Sequence, residues 1–345
     1  MAISTPVRYE RTPISTQSTI GWRRRVLAAA MIVIGLAFIA VTLAVNLFKI
    51  GPAFDRLTDG FRPVMTQQAI QANRQDVAQL NAAGTEIQTK VLPALAQQLK
   101  MTPAQMQQFV SQQFPAVAAG LQAIPQVTPT FNGLLTTLDQ QRPLFKSADA
   151  IPTSNLPAKT VPWSLFAVGV VIAAVGAFAW FSPRKGAVVG TLLGVALIVV
   201  PLSLSLTYKA SDADQMNANL KPVYTQQLIT QANGALTTLG AMGTQMQSQM
   251  LPALAVQMHM TGAQVQQFLG QNFPATAKAL SGMPASMSRF HQLVGTFQSH
   301  LGDYKTLKPV SFLPIVWFMI GGGITLTLLG ATSLLVSNRR PQLFS

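Results

Sequence analysis

The chain has 345 residues, 49% of them apolar and only 10% charged, with a net charge of +14 and no cysteine. So few charges cannot cover a water-soluble globule of this size, and the composition points to a membrane protein. Disulfides, thiolate metal sites and cysteine nucleophiles are excluded, and three histidines with ten carboxylates leave little material for the polar clusters most enzymes need.

Residues 1–25 are rich in Ser and Thr and carry Arg23, Arg24 and Arg25, which reads as a basic cytoplasmic tail touching anionic lipid. Residues 26–48 form the first of four uncharged apolar stretches, followed by 163–181, 186–206 and 313–336. At about 1.5 Å rise per residue, each reaches across a hydrocarbon core of roughly 30 Å, so all four are expected to be transmembrane helices. The first is too long for a cleaved signal and reads as a retained anchor. Trp22, Trp163, Trp180 and Trp317 lie at or near the ends of these stretches, where an amphipathic ring favours the headgroup layer.

Between the spans lie two long segments, 49–162 and 207–312, and one short loop, 182–185. The first long segment reads as helical. Val77, Leu80, Gly84, Ile87 and Val91 follow the 3-4-3-4 spacing of a packed helix seam. Thr102, Pro103 and Gln105 make a capping box that starts a further helix with Met106, Phe109, Val110 and Phe114 on one side. Pro115 and Pro125 punctuate the chain beyond it, and Phe131 with Leu134 marks another amphipathic helix. The second segment repeats these signals, and each is expected to be a bundle of three to five helices.

That repetition has a fixed offset of 159 residues. Leu92-Pro93-Ala94-Leu95-Ala96 recurs as Leu251-Pro252-Ala253-Leu254-Ala255, and Gln107-Gln108-Phe109 recurs as Gln266-Gln267-Phe268. Roughly 35 of the 85 positions from 62 to 146 are identical, and the offset also carries Arg25 onto Arg184 and Gly35 onto Gly194. The expected unit is span, outer domain, span, used twice in parallel.

Charge sets the expected orientation. Residues 1–25, 182–185 and 337–345 hold nine Lys or Arg, namely Arg8, Arg11, Arg23, Arg24, Arg25, Arg184, Lys185, Arg339 and Arg340, against the single acid Glu10. The positive-inside rule therefore puts both termini in the cytoplasm and both long segments outside a plasma membrane. Basic residues distributed in this way do not form a nucleic-acid face. The expected fold class is thus an all-α integral membrane protein with four transmembrane helices and two tandemly duplicated extracytoplasmic helical domains.

Candidate sites are few. Gly186, Gly190 and Gly194 repeat a small-xxx-small spacing within the third span and, with Gly35 and Gly323, are expected to bring membrane helices together within the chain or between subunits. Met242, Met246, Met250, Met258, Met260, Met283 and Met287 offer an adaptable apolar surface for a partner or for lipid, or alternatively fill gaps in a small core. His291, His300 and Asp303 make at best a weak metal site, and Asp212 with Asp214 a partial one. No catalytic, cofactor or metal residue is assigned. No ionisable residue lies within a span, which argues against a self-contained pump. The expected function is non-enzymatic: the outer domains bind or scaffold an envelope partner, alongside membrane lipid. The alternative is an accessory for lipid or hydrophobic-molecule handling, with an apolar Met-rich groove.

Overall fold

The computed structural model describes residues 17–153 and 155–338. Arg8, Glu10, Arg11, Arg339 and Arg340 lie outside the described residues, as do the side chains of Trp22, Arg23 and Arg24. Every element named here is a helix. In chain order they are α1 (Gln17–Ala44), α2 (Leu47–Phe61), α3 (Gln67–Glu86), a π-helical turn (Ile87–Val91), α4 (Leu92–Gln98), α5 (Pro103–Gln113) and α6 (Pro115–Asp149). Then come α7 (Thr160–Phe181), α8 (Pro183–Ser203), α9 (Leu206–Leu220), α10 (Gln226–Gln245), a second π-helical turn (Met246–Met250), α11 (Leu251–Gln257), α12 (Gly262–Asn272), α13 (Pro274–Ser299), α14 (Leu301–Leu307) and α15 (Leu313–Asn338).

Among the described residues, three helices are long and apolar enough to cross a membrane alone: Thr160–Phe181, Pro183–Ser203 and Leu313–Leu335. A fourth span exists only if the broken pair Ala28–Ala44 and Leu47–Phe61 counts as one. The first apolar helix ends at Ala44 instead of running to Phe48, because Asn46 turns into the left-handed region at φ 59°. The third ends at Ser203, and Ser205 does the same at φ 54°. Left-handed backbone cannot continue a right-handed helix, so Leu47 and Leu206 each open a new one.

The chain separates into two compact units. The apolar unit gathers α1, α7, α8 and α15. In it α1 packs against α7 and α8 against α15, while Ser182 joins α7 and α8 in a tight hairpin. Large apolar side chains point away from these seams: Val33, Leu36, Leu192, Leu328 and Leu335 are exposed, as are Trp163, Trp180 and Trp317. An apolar exterior around helices whose backbone is internally satisfied is compatible with a multi-pass membrane protein.

The second unit combines residues 49–158 with residues 208–312. These are not two separate bundles. Ile87, Val91, Met106, Val110, Val117, Leu121 and Ile124 of the first segment share one buried core with Leu239, Met242, Met246, Met250, Val265, Leu269 and Leu280 of the second. Helix α3 lies against α6 and α13, and α10 against α13 and α6, so each long helix contacts both segments. Burying a Leu, Val or Met side chain is worth about 1.5–3 kcal/mol, and here that gain requires both segments at once.

Caps set the helix starts. Thr66 and Thr225 accept from the amides of Ala69 and Leu228, and Thr102 and Thr261 each form a full capping box with Gln105 and Gln264. The ends of α4 and α11 also match: Lys100 and His259 sit at φ 55° and 54°, and the amides of Met101 and Met260 reach back to the carbonyls of Ala96 and Ala255 at 2.8 and 2.9 Å. Glycine is the usual residue at such a left-handed C-cap. Replacing either Lys100 or His259 with Gly is expected to raise unfolding stability by roughly 0.5–1 kcal/mol, read as a higher thermal midpoint in detergent.

Candidate functional site

The most organised polar chemistry lies within each segment of the bundle, at its prolines, and between the two segments, at their helix starts. Prolines within helices create the first need. Pro125 and Pro284 lack an amide hydrogen, so the carbonyls four residues earlier, of Leu121 and Leu280, lose their helical donors. The side-chain amides of Gln88 and Gln247, one in each π-helical turn, donate to those two carbonyls at 3.1 Å. Helix starts create the second need. The Gln245 side-chain oxygen accepts from the amides of Ala116 and Val117 at the start of α6, at 2.8 and 3.1 Å. The Glu86 carboxylate accepts from the amide and hydroxyl of Thr276 at the start of α13, at 2.8 and 3.0 Å. Glu86 and Gln245 are 159 residues apart, and each caps a helix of the other segment.

Other contacts have no counterpart at that offset. Asp76 on α3 is buried and accepts from Arg289 Nε at 2.6 Å, Arg289 Nη2 at 2.7 Å and the Ser286 hydroxyl at 2.7 Å, both residues lying on α13. Arg56 donates to Asp303 at 2.7 Å, and His300 lies 3.2 Å from the same carboxylate. Beside them Phe61, Tyr224, Phe297 and Tyr304 stack, with the Tyr224 hydroxyl donating to the Phe297 carbonyl. Burial raises the Tyr224 phenol above its usual range and pushes Tyr304 up to about 12.

Burial alone would raise the Asp303 carboxyl, but the hydrogen bonds from Arg56 and His300 outweigh it and hold the group below the usual carboxylate range. A carboxyl with a lower pKa folded than unfolded contributes its full stabilisation above the unfolded value of about 4, and loses it as pH falls through the folded value. The melting-temperature gap between the parent and Arg56→Gln is therefore expected to be open at neutral pH and to close below about pH 4.

The residues singled out from sequence fall into three groups. Gly35 faces α7, where an added methyl would lie 2.6 Å from the Gly169 carbonyl oxygen. Gly186 meets Ala179 of α7, Gly190 meets Met31 of α1, and Gly194 and Gly323 meet each other across α8 and α15, each 2.7 Å from the other's carbonyl oxygen once a methyl is added. The single glycine run of α8 thus serves three neighbours. Among the methionines, Met242, Met246 and Met250 are 2–3% exposed core residues and form no surface, whereas Met258, Met260, Met283 and Met287 are half-buried against that core. Met283 fills the space over Gly243 as Ile124 fills the space over Gly84, so these two glycines admit a side chain and not a second backbone.

The weak metal candidates disperse. Asp303 is engaged by Arg56 and His300, His291 is exposed, and Asp214 accepts from the Ser311 hydroxyl and the Phe312 amide at 2.7 Å just before α15. No group of three or more His, Asp or Glu among the described residues is arranged to hold a metal ion. An open groove of about 390 Å³ is lined by Arg62, Thr66, Asp139, Arg142 and Lys146. Within it Arg62 pairs with Asp149 at 2.9 Å, and Asp139 pairs with both Arg142 and Arg74 at 3.2 and 3.0 Å. The chain matches no protein-family model and no curated protein. The Glu86, Gln245 and Asp76 acceptors at the interface are each paired across it, whereas Asn73 Oδ1, Thr128 Oγ1 and Asn217 Oδ1 are buried in the bundle without a hydrogen-bond partner.

Proposed function

We propose that this chain is a non-enzymatic, multi-pass plasma-membrane protein, built by tandem duplication, that carries one composite helical bundle on the outer face and uses it to bind or scaffold an envelope partner. The observation that carries the reading is the shared core of residues 49–158 and 208–312, which fuses these two segments into a single polar-surfaced body. Large exposed hydrophobics are confined there to Leu156, Tyr208 and Val256 among the described residues. The basic short segments 1–25, 182–185 and 337–345 support termini in the cytoplasm.

The absence of native cysteine makes the orientation directly testable. Single cysteines at the exposed positions Gln107 and Gln266 are expected to react with a membrane-impermeant maleimide on intact cells, and one at Lys185 only after permeabilisation. The reverse pattern overturns the orientation. Native mass spectrometry of the detergent-purified chain then tests the role: a stable protein partner supports a scaffold, whereas lipid retained on the bundle supports hydrophobic-molecule handling. The second reading is the weaker, because Met242, Met246 and Met250 fill the core, and the cavity beside Met283 and Met287 measures only about 20 Å³, enough for one water.

A further inference from the structure

The two segments share many contacts at the 159-residue offset, but their differences are not random. Gly120 on α6 lies directly against Met242 on α10, and a methyl at 120 would fall 2.6 Å from the Met242 Cβ. At the offset these two positions become Ala279 and Ala83. If two copies of the second segment were paired, Met242 would meet Ala279, whose methyl occupies the space that Gly120 leaves open. The buried Asp76 is matched by Arg289 and Ser286, but the residues at the offset are Ala235, Thr130 and Val127. If two copies of the first segment were paired, Asp76 would be buried opposite Thr130 with no cation. Arg56 and Asp303 are replaced at the offset by Gln215 and Leu144, which adds a second one-sided ion pair. The reciprocal caps of Glu86 and Gln245 suit either kind of pairing and do not discriminate.

We propose that this interface is built to accept the unlike segment and to reject a second copy of the same one. A steric knob, Met242 in the space over Gly120, bars the second segment from itself, and a one-sided ion pair, Asp76 with Arg289, bars the first from itself. Specificity of this kind arises from clashes and unpaired charges in the wrong complex as much as from contacts in the right one. The consequence is that neighbouring copies are barred from associating first segment to first or second segment to second, so that every closed bundle holds one segment of each kind. The offset and the interface contacts suffice for this, whichever side of the membrane the bundle occupies.

The test uses the full chain with a protease site in the 182–185 loop and different tags at its two ends. After folding and cleavage in detergent, the halves are expected to stay together. When two differently tagged preparations are mixed under conditions that permit exchange, unlike pairs are expected to exceed like pairs by about tenfold or more. Like pairs at the statistical ratio, or separation on cleavage, overturn the proposal. A second measurement on the intact chain decides the matter if no exchange occurs. Gly120→Ala is expected to lower the melting temperature, and Met242→Gly, which removes the Cβ that the new methyl would strike, is expected to cost less in that background than in the parent. Ala235→Asp is likewise expected to lower the melting temperature and Thr130→Arg to rescue it. Purely additive effects in both pairs overturn the proposal.

Discussion

Gly194→Leu is expected to break the α8–α15 pair and to cost about 3 kcal/mol or more, seen as loss of a monodisperse peak in detergent and a collapse of the thermal transition. A methyl alone at this position would lie 2.7 Å from both the Gly323 carbonyl oxygen and the Thr327 amide nitrogen, so the obstacle is backbone that cannot turn aside. Overpacking a well-fitted site costs about 1–3 kcal/mol when side chains can yield, and this one offers no such relief. The loss is not recoverable from lipid, since lipid tails and leucine are equally apolar and close packing is what associates the helices. Gly133→Ala and Gly234→Ala provide the contrast. Neither new methyl has anything within 4 Å, and both sites are exposed in α6 and α10, so helix propensity should stabilise each by about 0.8–1 kcal/mol. If Gly194→Leu behaves like these two, the packed seam is wrong.

Local features are legible in the sequence because each is written within one helical turn or one repeat of the seam. Thr102 with Gln105 announces its own cap, and the spacing of Val77, Leu80, Gly84, Ile87 and Val91 announces a helix, although not that its last turn winds as a π-helix. The break at Asn46 is invisible to hydropathy because Ala44, Val45, Leu47 and Phe48 are apolar on both sides of it, and only the backbone records the change of hand. The shared core escapes the sequence for a different reason. An apolar stripe states that a helix face is buried but not which chain segment buries it, so two independent bundles and one interlocked bundle read alike. The same ambiguity makes Met242, Met246 and Met250 resemble a surface. Pro125 does announce from sequence that the Leu121 carbonyl needs a donor, yet nothing local names Gln88, which comes from 33 residues earlier.

The reciprocal caps provide an experiment with its control already built into the chain. Glu86→Leu removes the acceptor for both the amide and the hydroxyl of Thr276, a residue only 2% exposed, so water cannot replace it. Each buried donor left unpaired costs about 1–3 kcal/mol, and the pair should cost about 3 kcal/mol in detergent unfolding, with faster amide exchange at the start of α13. Glu86→Gln should cost far less. Gln245 holds the equivalent amide, that of Val117, together with the amide of Ala116, through a neutral oxygen, so an uncharged acceptor suffices at the matching site. What the carboxylate adds is its attraction to the helix N-terminus, about 0.3–1 kcal/mol. Lys90, 3.9 Å away and largely exposed, adds little through an ion pair of the surface kind. Equal damage from Glu86→Gln and Glu86→Leu would mean that charge holds α13 in place; a small loss for the first and a large one for the second means that the two segments are joined by hydrogen bonds that either residue can make.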